Sequence, residues 1–215
     1  MKSFFSKIWE TFSSCIQRNR TIIKATALTF FLIIIVSMFL TVFAFFSVPW
    51  LSEWLESLTQ SERRYIVIPP PFTENLYFYI LLNNAGHFWN PVRMLVWVPL
   101  FGTFVLGFEL LLNGVVIGVL STIVGMTHGI SYPILGLVPH GIFEIPAFIL
   151  QFASIIRWHI TAIEIVMAKV IGEKVNGAKF KRGVKDTVIL ALASLVLFVI
   201  AAFVETYITP RLLGM

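Results

Sequence analysis

The chain has 215 residues, 58% of them hydrophobic and 13% charged, with a formal net charge of +5. Soluble domains carry nearer a quarter charged residues, so lipid, not one aqueous core, suits this composition. The single cysteine, Cys15, excludes an intrachain disulfide and a Cys-rich zinc site. The basic residues gather in two juxtamembrane blocks, which points to orientation and anionic lipid instead of nucleic acid.

Residues 1–24 hold Lys2, Lys7, Arg18, Arg20 and Lys24 against one acid, Glu10. Phe4, Ile8, Phe12 and Ile16 recur at steps of four, with Phe5 and Trp9 beside them, which predicts an amphipathic helix on a membrane surface. Residues 25–48 are uncharged and long enough for a first transmembrane helix. This run is too long for the apolar part of a cleavable signal and reads as a signal anchor. Residues 50–90 are mixed. Trp50, Leu51, Trp54, Leu55 and Leu58 suggest an external interfacial helix, and Pro69-Pro70-Pro71 an extended connection. The segment around Asn83, Asn84 and His87 reads as re-entrant, or as the start of the second crossing.

Between Pro91 and Gly125 hydropathy fits one bent helix or two short crossings, and charge parity chooses two. The basic block Arg157–Lys185 and the N-terminal block should share the cytoplasm, since positive charge marks that side. The chain between them then crosses an even number of times. This predicts crossings at 92–108 and 110–126, another at 133–156, a cytoplasmic basic loop or helix at 158–183, and a last crossing at 187–206. Five crossings place twelve of the sixteen Lys and Arg residues inside, with the N-terminus cytoplasmic and the C-terminus external in a cell membrane. The expected fold is all-α and polytopic, a single membrane domain with broken or kinked central helices and interfacial amphipathic helices.

Glu144 is the only formally charged residue between Leu110 and Ile156. It stands four residues after His140, on one helical face. An acid in hydrocarbon costs roughly 2.5–3.5 kcal/mol on insertion scales, so the pair signals function or specific packing. Pro139 and Pro146 bracket it. Pro146 cannot donate to the Ile142 carbonyl, and backbone freed at depth must be buried in protein or line a wet cavity. Asn113, with Glu109 and Asn84, is placed opposite as the rest of a polar intramembrane cluster. The cluster is either a cavity or a hydrogen-bonded clamp between helices. Gly114 and Gly118 have the small-xxx-small spacing of close helix packing, within one chain or between copies.

A metal reading takes His140 and Glu144 with His128 or Glu109. Only the i, i+4 pair is visible, whereas catalytic zinc takes three protein ligands, so no cofactor is expected. Neither a nucleophile motif nor a P-loop is present.

Asn83-Asn84, Gly102, Gly107, Asn113-Gly114-Val-Val-Ile-Gly118 and His140-Gly141-Ile-Phe-Glu144-Ile-Pro146-Ala147 together resemble the stage II sporulation protein M family over roughly residues 20–210. The resemblance implies a five-crossing helical membrane fold. It also implies a role like that of the spore-former member, an anchor that recruits peptidoglycan-degrading partners without being the hydrolase. The family brings no catalytic residues; Asn113, Gly114, His140, Gly141 and Glu144 correspond only as motif positions. The expectation is therefore a non-enzymatic scaffold, as a homo-oligomer or with membrane-protein partners. A small channel or transporter using the His-Glu-Asn cavity and an intramembrane metal-dependent hydrolase are the alternatives.

Overall fold

In a lipid-suited chain, backbone polar groups must be satisfied within the segment, which makes long helices the default. The computed structural model describes residues 4–47 and 68–215 and, among them, contains helices and no strands. These are α1 (Phe4–Arg18), α2 (Arg20–Ser47), α3 (Glu74–Asn84), short 3-10 turns at Gly86–Phe88 and Arg93–Trp97, α4 (Phe101–His128), α5 (Ser131–Val170), α6 (Gly177–Tyr207) and α7 (Thr209–Leu212). The expected interfacial helix near Trp54 lies outside the described residues.

Four of these helices, α2, α4, α5 and α6, are long and apolar enough to cross a membrane. Only 17% of the apolar window of α2 or α4 is buried, against 39% for α6. The antiparallel pair α5–α6 therefore forms the centre, and α2 and α4 present their remaining faces outward. A helix apolar all round and covered on one side only needs lipid on the others.

α5 and α6 are held in register by contacts along their length. Ala147 packs with Phe198, Ala153 with Leu190, and a side chain at Gly183 would collide with Thr161. α2 lies along the α4–α5 hairpin, with Phe30 and Phe148 rings 5.1 Å apart. Gly114 and Gly118 of α4 admit α2: a Cβ at Gly118 would sit 2.7 Å from the Ile34 carbonyl oxygen, and one at Gly114 2.7 Å from Ile33. Gly141 makes no such approach, its nearest neighbours being ordinary contacts at 3.8 Å.

Several boundaries differ from the sequence expectation. The crossings placed at 92–108 and 110–126 are not two helices: Phe101–His128 is one continuous helix, α4, and Arg93–Trp97 is a 3-10 turn before it. Glu109 does not end it, because its carboxylate turns sideways to partners on another segment. Asn113 donates to the Glu109 carbonyl at 2.8 Å, inside the same helix. The crossing at 133–156 and the basic helix from 158 are likewise one helix of 40 residues. Nothing from Ala147 to Val170 can break it, and helical structure continues through both Pro139 and Pro146. α6 begins ten residues before the expected 187, at Gly177, where Asn176 caps it by accepting from Lys179 N at 3.0 Å.

The interruption falls earlier, after α3. Thr73 starts α3 as its N-cap, accepting from Leu76 N at 3.2 Å. The chain then descends antiparallel to α6. Phe72 N donates to Thr206 O, Leu76 and Ile80 pack on Ala202, Ala85 on Phe198, and Val96 on Phe152 and Ile155. From the level of Thr206 to that of His159 is about 30 Å at 1.5 Å per residue, the thickness of a hydrocarbon core. Within it only α3 is regular helix, so many carbonyls lack helical donors. Side chains supply them: Trp89 Nε1 to Leu82 O (2.7 Å), Arg93 to Asn83 O, Trp97 Nε1 to His87 O (2.8 Å), Trp158 Nε1 to Trp97 O (2.8 Å) and His159 Nε2 to Val96 O (2.7 Å). The segment ends in a tight reversal. Leu100 takes a left-handed φ of 70°, strained for a non-glycine residue, and a Cβ on Gly102 would strike the Val96 carbonyl.

Candidate functional site

The broken segment carries polar side chains into the middle of the bundle, where they form separate groups. In the first, Asn84 at the end of α3 donates from Nδ2 to Glu144 Oε1 at 2.8 Å. Glu144 Oε2 faces His140 Nε2 at 3.6 Å, one helical turn away. Thr209, at the start of α7, places its hydroxyl 3.3 Å from His140 Nδ1. Glu205 of α6 completes the group: one ligand atom from each of His140, Glu144 and Glu205 lies within 4.8 Å of the others. His140 is buried, and the Glu144 side chain is 29% exposed.

In the second group, His87 Nε2 pairs with Glu109 Oε2, and Arg93 Nε approaches Glu109 Oε1 at 3.8 Å. His87 lies edge-on to Phe152 and is 1% exposed. Among the described residues its Nδ1 has no partner, and neither does either amide atom of the fully buried Gln151. In a third, His159 holds Val96 O through Nε2 and meets the Thr103 hydroxyl through Nδ1 at 3.0 Å. A carbonyl can only accept, so Nε2 carries the hydrogen.

The five residues proposed as one polar cluster are thus divided. Asn84, His140 and Glu144 come together. Glu109 belongs with His87 and Arg93, and Asn113 stays on its own helix. Asn113 is a correction with a simple cause: its side chain answers the carbonyl four residues back, as polar residues in apolar helices do. Among the described residues His128 joins no such metal-capable group. It sits at the end of α4, bonded to Thr127 Oγ1 at 2.8 Å with its ring 5.3 Å from Tyr132.

Glu205 and Arg93 were not singled out by sequence reasoning, and His87 was named only as a polar residue of the re-entrant segment. Glu205 follows the last uncharged run directly, and its signal was its position four residues before Thr209 on a helix already assigned to the membrane. At the opposite end of α6, Asp186 is a further buried acid. It accepts from Arg18 Nε (3.0 Å) and Nη2 (2.6 Å) and from Asn19 Nδ2 (3.2 Å), which docks α1 on the bundle. Cys15 packs into the same joint, where burial, reinforced by Asp186, pushes its thiol up to about 11.

Comparison with known proteins agrees with the family resemblance. The stage II sporulation protein M profile matches residues 27–210. An uncharacterised protein of Methanocaldococcus jannaschii is 33% identical over 105 residues, 48% of this chain and 56% of that protein. The match therefore spans little more than half of that relative. No solved structure matches the chain. With its apolar helices, this is an all-α membrane protein, and it belongs to the stage II sporulation protein M family.

Proposed function

We propose that the chain is a non-enzymatic membrane scaffold that anchors envelope- or membrane-remodelling partners and works as an oligomer or with other membrane proteins. The observation that carries this reading is how polar groups at bilayer depth are engaged. Asn84 with Glu144, His87 and Arg93 with Glu109, and Thr103 with His159 each join different segments. Such contacts act as cross-braces between helices. In the same reading the discontinuous segment 72–97 is the fifth crossing, its irregular backbone satisfied inside protein as the bilayer requires. Five crossings keep both basic blocks on the cytoplasmic side, beside anionic lipid, and the C-terminus outside.

The test is purification of the full chain in mild detergent, with its mass measured and flux measured after reconstitution. A stable oligomer or stoichiometric membrane partner, with no ion flux, is the expected result. A lone monomer that conducts ions, with conduction abolished in a folded Glu144→Gln variant, overturns the scaffold reading.

One observation favours transport as a second reading. Among the described residues His87 Nδ1 and the Gln151 amide are buried without partners, and polar and ionisable residues inside the membrane mark ion or proton paths in other membrane proteins.

A further inference from the structure

We propose that His140, Glu144 and Glu205 bind a divalent transition-metal ion, with zinc(II) the ion that suits their donor set. Imidazole nitrogen and carboxylate oxygen together favour zinc and its neighbours over magnesium or calcium, which take oxygen ligands.

Geometry supports the site in three ways. First, the donor atoms already lie close. Ligands bound at about 2.1 Å to one tetrahedral ion are about 3.4 Å apart. His140 Nε2 and Glu144 Oε2 are 3.6 Å apart, and all three groups fall within 4.8 Å.

Second, two ligands have one atom tied by a neighbour and the other turned to the centre. Asn84 Nδ2 holds Glu144 Oε1, leaving Oε2 inward. Thr209 Oγ1 sits on the Nδ1 side of His140, so Nδ1–H donating to that hydroxyl leaves the Nε2 lone pair for the ion. Outer groups that fix a ligand's tautomer and orientation are the usual surroundings of a metal site. His140 is only 7% exposed, and its Nε2 stands beyond hydrogen-bond reach of Glu144.

Third, the two carboxyl groups have no cation beside them. Two carboxylates face each other, and among the described residues neither has an arginine or lysine partner. A divalent cation balances them where a low-dielectric setting makes like charges costly.

The ion would join α5 to α6, and through Asn84 and Thr209 it would fasten α3 and α7 to the same point. This inference goes beyond the scaffold reading and is independent of it.

The test uses the full chain purified in mild detergent through a tag without histidines, with zinc(II) as the probe. Wild type should retain about one zinc per chain after desalting. Glu205→Gln should weaken zinc affinity at least 100-fold, measured by chelator competition. His128→Ala should bind as wild type does. Zinc should raise the thermal midpoint of wild type and not of Glu205→Gln. Should Glu205→Gln not fold, cobalt(II) added to wild type should give tetrahedral absorption bands that zinc removes. Wild type with background zinc and no cobalt bands overturns the site, as does a folded Glu205→Gln that binds zinc as tightly as wild type.

Discussion

Arg18 and Asp186 are 168 positions apart and meet as a two-pronged pair, with Nε at 3.0 Å and Nη2 at 2.6 Å from the two carboxylate oxygens. The two are unequally buried: the Arg18 side chain is 38% exposed and that of Asp186 only 1%. Removing one partner costs most when the other stays buried and unpaired. Arg18→Ala, which strands Asp186, should therefore be more damaging than Asp186→Asn, which leaves an arginine that water can reach. The expected loss for Arg18→Ala is about 2–3 kcal/mol, at or below the low end of the buried range because of that exposure. Thermal unfolding in detergent checks the order, and earlier proteolysis between α1 and α2 should accompany it.

Cys15 shares that joint and reports on it. Its thiol lies up to about 11, raised by burial and then by Asp186, against an ordinary value of about 8.5. A folded value above the unfolded one means the stability linked to this group is complete only below about pH 8.5. It is lost as pH rises toward 11. The midpoint difference between wild type and Cys15→Ser should shrink across that window, measured by unfolding scans at pH 8–11. At pH 8 maleimide should leave folded wild type unlabelled and label Arg18→Ala readily.

Glycine positions on α4 should respond differently to the same change. Gly118→Ala puts a Cβ 2.7 Å from the Ile34 carbonyl oxygen and 2.8 Å from Ser37 Cβ, so α2 must move away. About 1–3 kcal/mol is the expected loss, as for other overpacked contacts. Gly107→Ala meets nothing within 4 Å and should leave the detergent melting curve unchanged.

Gln151→Met should stabilise the protein. Both amide atoms of Gln151 are buried without partners, and an apolar side chain of similar size removes that desolvation cost, worth about 1–3 kcal/mol. The midpoint should rise. A fall would mean that an ordered water or a substrate uses the amide, and would direct attention to the transport reading.

Much of this architecture can be read in the chain, because lipid imposes a simple rule on the uncharged runs that became α2 and the core of α6. The rule misleads where a charge is answered from far away. Glu109 looked like a boundary, yet its partners His87 and Arg93 come from another segment and let α4 continue. Segment 85–100 was illegible for the same reason: its backbone is satisfied by Trp158 and His159, some sixty positions later. Of the candidate site, His140, Glu144 and Asn84 were visible as costly polar residues. Glu205 was not, because it stands just past the end of an apolar run and gains meaning only when α6 lies against α5.

The 40 residues of α5 measure about 60 Å, twice what a hydrocarbon core needs. Beyond His159 the helix runs on beside the start of α6, clasped by Lys179 Nζ on Glu164 Oε1 at 2.9 Å and by the Thr161–Gly183 contact. Pro146, which leaves the Ile142 carbonyl without its helical donor, stands between this projecting stalk and the turn that carries His140. The acid–imidazole group therefore lies about 40 Å from the tip near Ala168, on the far side of the position where α5 can bend.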